Sequence, residues 1–321
     1  MATLPFFTAR SSSLAPLRRA AAIFALPLLA SCSGGATSSA AAEVAPPADV
    51  TQQTEFAAEH PNFSAYWHAG LAEITRYRLV QTRYGAPREG DAVFVFVTEP
   101  FLPDAQVKHE SADGAPDVNV LKLNAMRSFT TGVYPYNLMT SSFAPTEAGA
   151  ALKVTATVTE WCGQAFAQLN RRNGRVEAQV RSYFEREGDA DEVLEDAPYE
   201  DALWQRIRRN PAELPSGSIR LIPAMHALRL YHEPLRAYEA EVQTSDARRD
   251  GASVRRLQVR YTDLDRELTI DFEPAFPHAI VAFEEVHRGE RSTGARTHSI
   301  MDAYWSHNGP GDEGLRDALG L

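Results

Sequence analysis

The densest cluster of reactive side chains in the 321-residue chain is Glu160-Trp161-Cys162-Gly163-Gln164. A thiol beside a carboxylate could serve as a nucleophile if one of the nine histidines activated it. No catalytic-cysteine signature surrounds Cys162, and the spacing selects no partner histidine. The plainer expectation is a buried Cys on the inner face of a strand, with Gly163 marking a bulge. Four aromatic residues nearby, Tyr134, Tyr136, Trp161 and Phe166, are candidates to line an apolar or sugar-binding pocket inside a barrel; aromatics on strands otherwise serve the core.

Metal and nucleotide chemistry find no motif. The histidines stand at 60, 68, 109, 226, 232, 278, 287, 298 and 307, without His-Glu-x-x-His or a close pair at ligand spacing. On a strand, His226 and His232 would lie ~20 Å apart at about 3.3 Å per residue, too far to chelate one ion unless the chain bends at Pro223 or Pro234. Asp189-Ala-Asp191-Glu192 lacks the glycine and the bidentate glutamate of a calcium loop, and reads as a solvated acidic loop. Gly-x-Gly-x-x-Gly, Gly-x-x-x-x-Gly-Lys-Ser/Thr and Gly-x-Ser-x-Gly are all absent. No cofactor and no metal is expected.

The second cysteine has a different context. Arg10, Arg18 and Arg19 precede an apolar run, Ala20 to Ala30, which ends in Leu29-Ala30-Ser31-Cys32. As a helix this run would reach roughly 16 Å, about half the hydrocarbon thickness, so it reads as a signal peptide rather than a membrane span. Leu29-Ala-Ser-Cys32 resembles the lipobox of bacterial lipoproteins. That resemblance implies a signal peptide over 1–31, diacylglycerol on the Cys32 sulfur, cleavage before Cys32 and acylation (palmitate included) of the new amino group. Several chains hold a membrane where one binds marginally. Ser33, in place of Asp, resembles lipoproteins sorted to an outer membrane, facing the periplasm or the cell surface. Plain secretion after cleavage near Ala30 is the alternative.

Charge points the same way. The chain has 32 Lys+Arg against 42 Asp+Glu, a balance of −10. Removing the three leader arginines leaves 29 against 42, or −13. Such a balance argues against nucleic acid and against adhesion to an anionic membrane surface, so the lipid is the expected anchor. With Cys32 acylated, Cys162 has no disulfide partner, and the domain must rely on its own core.

The elements that would position these residues are mostly strands. Residues 32–54, rich in Ala, Ser, Gly, Thr and Pro, read as a lipidated tether, and 55–321 as a single β-rich domain. Leu71–Tyr84 alternates, 85–90 is a turn, and Asp91–Thr98 is apolar on both faces, a strand covered on each side. Val118–Phe129 follows, then Gly132–Phe143, bent or at an edge because of Pro135. Leu152–Val158 alternates cleanly and is expected to run through Trp161 and Cys162 to Leu169. Asn173-Gly174 predicts a hairpin with Val176–Glu187. Tyr199–Arg209 carries acids first and arginines last around a Tyr199/Leu203/Trp204/Ile207 stripe, predicting one helix at which the domain could divide into two halves. Strands are expected again at 218–222, 228–231, 235–242, 254–261, 267–272 and 279–286. About ten strands and one notable helix predict a mainly β fold, a large antiparallel sheet forming a sandwich or a partly open barrel.

The segments Trp67–Thr75, Phe129–Tyr136, Glu160–Gly163 and Phe276–Ile280 resemble an uncharacterised family of bacterial proteins, often labelled septum formation inhibitor Maf. The resemblance covers most of the mature chain, and the family brings no established activity. Taken literally, the label implies a nucleotide pyrophosphatase affecting septation. Such enzymes carry a Leu-Ala-Ser-x-Ser-Pro-Arg-Arg-like loop; Leu29–Gly34 matches its first half only, and none of its residues is carried over. The leading expectation is a lipid-anchored, periplasm-facing module that binds an apolar, sugar or protein ligand without catalysis. A Cys162-dependent hydrolase or thiol enzyme is the alternative.

Overall fold

The computed structural model describes residues 61–321 except 112, 113 and 116; Cys32, the leader and the tether lie outside them. All the described residues belong to one compact unit. The fold is mainly β: an antiparallel sheet of fifteen strands, more than the ten expected, that is not closed. The first half contains α1 (Pro61–Trp67), β1 (Ala72–Arg83), β2 (Ala86–Leu102), β3 (Val107–Lys108), β4 (Val118–Thr131), β5 (Tyr134–Pro145), β6 (Lys153–Glu160), β7 (Gly163–Arg172), β8 (Arg175–Ser182) and β9 (Ala190–Leu194). A 3-10 turn at Glu200–Ala202, α2 (Leu203–Arg209) and a second 3-10 turn at Pro211–Glu213 lead to β10 (Gly217–Leu221) and α3 (Met225–Tyr231). Then come β11 (Tyr238–Arg249), β12 (Ala252–Tyr261), β13 (Arg266–Phe272), β14 (Ile280–His287), β15 (Glu290–Asp302) and, near the end, α4 (Leu315–Leu319).

The strand order is β10-β11-β12-β13-β14-β15-β1-β2-β4-β5-β6-β7-β8-β9, with β3 on β2. Nearly every neighbour is also the next strand in the chain, and β1 joins the two halves by pairing with β15. Just past its two edge strands, β9 and β10, the chain is linked across by a bridge and an ion pair. There Tyr199 and Ile222 form an isolated parallel bridge, with Ile222 N–H donating to Pro198 O and Glu200 N–H to Ile222 O. Alongside it Arg220 Nε donates to Glu195.

The segment between the edges turns inward. Leu203, Trp204 and Ile207 of α2 and Met225, Leu228 and Leu230 of α3 join one core with the inner faces of the strands. Phe94 and Phe283 stack at 5.7 Å, and the Trp204 ring meets both edge-on at 5.2 and 5.5 Å. A small internal space beside Arg127, Asp201, Trp204 and His226 measures about 10 Å³, at the lower limit of what one water needs.

Several local expectations need correction. The turn placed at 85–90 is confined to Tyr84-Gly85, because Arg83 pairs with Ala86 and both turn residues take positive φ. β2 runs through Pro100, which faces Asn119. β5 lies between β4 and β6, with Pro135 opposite Thr130 near the end of the ladder, so it is no edge strand. Leu228–Tyr231 is helix, not strand, and lies within α3. The acidic 189–192 stretch is mostly strand β9, an edge whose charges face outward. β6 and β7 are two strands, turning at Trp161-Cys162.

Candidate functional site

One end of the sheet gathers the turns Tyr84-Gly85, Gly132-Val133, Trp161-Cys162, 183–189 and Arg288-Gly289, together with α3. Pro61 and α1 lie at the opposite end, where the Trp67 carbonyl accepts from Thr98 Oγ1 and its ring faces Phe96. The turn-bearing end is a rim of aromatic rings. Trp161 and Tyr183 are 69% and 75% exposed, and Tyr84 and Val133 are exposed as well.

Trp161 and Cys162 reach this rim because Glu160 pairs directly with Gly163, leaving a two-residue turn. The Cys162 N–H donates to Glu160 Oε2 at 2.6 Å, fastening the turn to its own strand. A Cβ at Gly163 would stand 3.1 Å from the Tyr183 ring, so glycine lets the neighbouring loop close over the hairpin. Cys162 is therefore exposed, not buried on an inner strand face. The hydrogen bond and charge of Glu160 push its thiol above the ordinary range, the reverse of what an activated nucleophile needs.

The four aromatic candidates divide. The Tyr134 and Trp161 rings stack at 6.2 Å, and Tyr134 meets Tyr136 at 5.7 Å. Tyr136 is buried, stacked on Phe129 at 5.0 Å. Phe166 lies apart: Ala165, Ala167 and Leu169 take the buried face of β7, leaving Phe166 half-buried on the other face. Three of the four thus meet at the rim, and no interior pocket unites them.

Beside Tyr136 the rim dips into a cleft of about 70 Å³, lined among others by Arg83, Tyr84, Tyr136, Phe184, Arg229 and His232. β1 ends there with Arg83, whose Nη1 donates to Leu230 O at 2.6 Å. The Arg83 guanidinium lies 4.4 Å from the Tyr84 ring centre and 5.5 Å from that of Tyr136. The two phenol oxygens share a 2.8 Å hydrogen bond. Burial, then the Tyr84 bond, pushes the Tyr136 hydroxyl well up. Burial opposes ionisation of Tyr84 too, but its bond to Tyr136 and the Arg83 charge draw it below the usual tyrosine range.

On the other wall Glu187 takes an ion pair from Arg229 and lies 2.5 Å from His232 Nδ1, while accepting from Ser182 Oγ at 2.6 Å. Burial, then Arg229, Arg83 and Arg186, lowers the pKa of His232 and favours its neutral ring. His226, which the sequence set too far from His232 to share an ion, is elsewhere: its Nε2 lies 3.1 Å from Glu285 Oε2 in the interior. Among the described residues no cluster of three His, Cys, Asp or Glu side chains could hold a metal ion, and no helix is long and apolar enough to cross a membrane.

Arg83, Tyr84, Phe184, Glu187 and Arg229 were not legible as a site, because they come from three separate segments and form no motif. The one local signal was a Tyr-Gly turn directly after an arginine.

No protein-family model and no curated protein matches the chain. Among solved structures it is similar to the crystal structure of a beta-barrel-like protein of domain of unknown function DUF1849 from Brucella abortus. The two are 9% identical with a TM-score of 0.45, over 72% of this chain and 98% of that one.

Proposed function

We propose that this protein is a lipid-anchored binding module of the bacterial cell envelope, held by lipid on Cys32 and recognising a small amphiphilic ligand at its aromatic rim. The observation that carries the reading is the exposure of Trp161 and Tyr183 beside a cleft lined by both charged and aromatic side chains. Large exposed rings rimmed by polar groups are characteristic of binding sites.

Two measurements test the parts separately. Wild-type protein should sediment with membranes and Cys32→Ser should not; if both stay soluble, there is no lipid anchor. For the rim, purified mature domain is incubated with a solvent extract of cell envelopes and the retained small molecules are identified by mass spectrometry. Species held by wild type and lost from Trp161→Ala/Tyr183→Ala support the rim. Equal retention by both, or none by either, overturns it.

A second reading has one observation in its favour: Cys162 and His232 line the same cleft, and His232 is paired with Glu187 as a catalytic base would be with its orienting carboxylate. It makes the protein a thiol hydrolase. The elevated thiol pKa weighs against it. Hydrolysis of a thioester or ester that Cys162→Ala abolishes would establish it, and turnover of a nucleoside triphosphate would instead favour the activity that the septum-formation label implies.

A further inference from the structure

Arg83 is a half-buried cation without a carboxylate partner among the described residues. Its contacts are one carbonyl and the rings and hydroxyls of Tyr84 and Tyr136, and its Nε is buried with no hydrogen-bond acceptor. Across the cleft Arg229, 8% exposed, also leaves its Nε buried and without an acceptor, Glu187 being engaged at Nη1. Burial, then the like charge of Arg83, lowers the pKa of Arg229. Glu160, a carboxylate lining the cleft, is engaged by the Cys162 backbone N–H. Buried donors with no acceptor carry a cost that an incoming acceptor relieves.

We propose that Arg83 and Arg229 seat the anionic head of the ligand, a carboxylate or phosphate, while its apolar body lies on Tyr84, Tyr136 and Phe184. This rests on the rim reading above and deepens it. The size of the cleft decides which part of the ligand goes where: about 70 Å³ admits a head group, whereas whole drug-sized ligands fill roughly 300 Å³ or more. The body must therefore extend over the rings outside. Arg229 stands over the Phe184 ring at 5.3 Å and Arg83 over Tyr84, so each cation sits next to an apolar face that would contact the body. A guanidinium is suited to both tasks, since it forks toward an oxyanion and stacks on a ring.

The test is calorimetric titration of the mature domain with hydrocinnamate, benzyl phosphate and the neutral hydrocinnamamide. At least one of the two anions should bind saturably and the amide roughly tenfold more weakly or not at all, the discrimination expected of a charge-assisted hydrogen bond. Preference between the anions identifies the head group. Arg83→Gln should weaken the anion by about tenfold or more with its thermal midpoint intact. Glu187→Gln gives a change that misfolding cannot imitate: freeing Arg229 should tighten the anion several-fold. Equal binding of amide and anion would overturn the charged head while leaving a rim that binds apolar ligands. Absence of saturable anion binding, or an Arg83→Gln variant that binds as wild type does, overturns the proposal outright. The envelope-extract comparison, which makes no use of charge, judges the rim independently.

Discussion

Arg208 of α2 and Glu73 of β1, 135 residues apart in sequence, meet as a two-pronged ion pair with side chains 0% and 3% exposed. The pair is fully engaged. Tyr66 Oη donates to Glu73 Oε2 at 2.6 Å, Arg208 Nε donates to Pro277 O at 2.9 Å, and the guanidinium lies 5.1 Å from both the Trp67 and Phe96 rings. It ties the inward segment between the sheet edges to the strand that joins the two halves of the sheet. A buried pair adds little over an apolar substitute, but breaking one is costly. Arg208→Met, which strands the Glu73 carboxylate, should cost about 3–5 kcal/mol in urea unfolding. Glu73→Gln/Arg208→Met should recover much of that loss, because the amide still accepts from Tyr66. A single variant that loses under about 1 kcal/mol would show that the pair does not hold the segment in place.

Asp201 gives a pH dependence of unusual sign. Its carboxyl is buried and accepts the Met225 N–H at 2.9 Å. Burial, only partly offset by that bond, pushes its pKa from 3.8 up to about 7. Between those values the folded state holds a proton that the unfolded state has released, so stability falls as pH rises through the window and stays reduced above it. The cost above the window is about 4 kcal/mol, taking roughly 1.4 kcal/mol per pH unit. Glu73 and Glu285 work oppositely. Burial opposes their ionisation, but Arg208 for Glu73 and Arg127 for Glu285 hold each below 4.5, so their stabilisation is present above that pH and lost as acid protonates them. Asp201→Asn, whose amide oxygen can still accept from Met225, should therefore raise the urea midpoint above neutrality and match wild type near pH 3.8. Equal midpoints on the alkaline side would mean that Asp201 is not protonated in the folded state.

Gly294 on β15 makes room for the aromatic centre of the core. A Cβ there would lie 2.2 Å from the Phe283 ring, which crosses β15 to reach Tyr77 at 5.6 Å and Phe94. Gly294→Ala must displace Phe283 from its stack and from Trp204, an overpacking that costs about 1–3 kcal/mol. In a Phe283→Leu background the same alanine should cost clearly less, and this coupling is what a double-mutant cycle reads. If the two substitutions add independently, the ring is not what excludes a side chain at Gly294.

Sequence legibility followed the strength of local signals. Val154, Ala156 and Val158 alternate with Lys153, Thr155 and Thr157, and the buried face of β6 follows that alternation. Asn173-Gly174 forms its hairpin because both residues tolerate positive φ. At Trp161-Cys162 no asparagine or proline announces the turn, so the expected strand ran straight through. That hid the exposure of Cys162 and left the facing of Phe166 undetermined. Leu228–Tyr231 fits strand and helix equally well as a short apolar run, and burial of six of the seven residues of α3 removes the amphipathic period that would decide. β15 went unread because Arg291, Thr297, His298 and Ser299 give it a polar texture, though it pairs along both β14 and β1. The cleft joins residues far apart in sequence, and nothing in a linear pattern brings Arg83 to Arg229.

Cys162 separates binding from thiol catalysis through its own acidity. Glu160 accepts the Cys162 N–H, and its hydrogen bond and charge at the thiol favour the protonated form. Thiolate is the reactive species, so at neutral pH Cys162 should alkylate with iodoacetamide more slowly than a free cysteine despite its exposure. Glu160→Gln removes the charge and should raise the rate several-fold, with the midpoint of the rate–pH profile moving down. Two results would reverse this account. An unchanged rate in Glu160→Gln would show that the carboxylate does not govern the thiol. A wild-type rate above that of free cysteine, lost in His232→Ala, would mean that His232 activates Cys162 and that the cleft is a catalytic site.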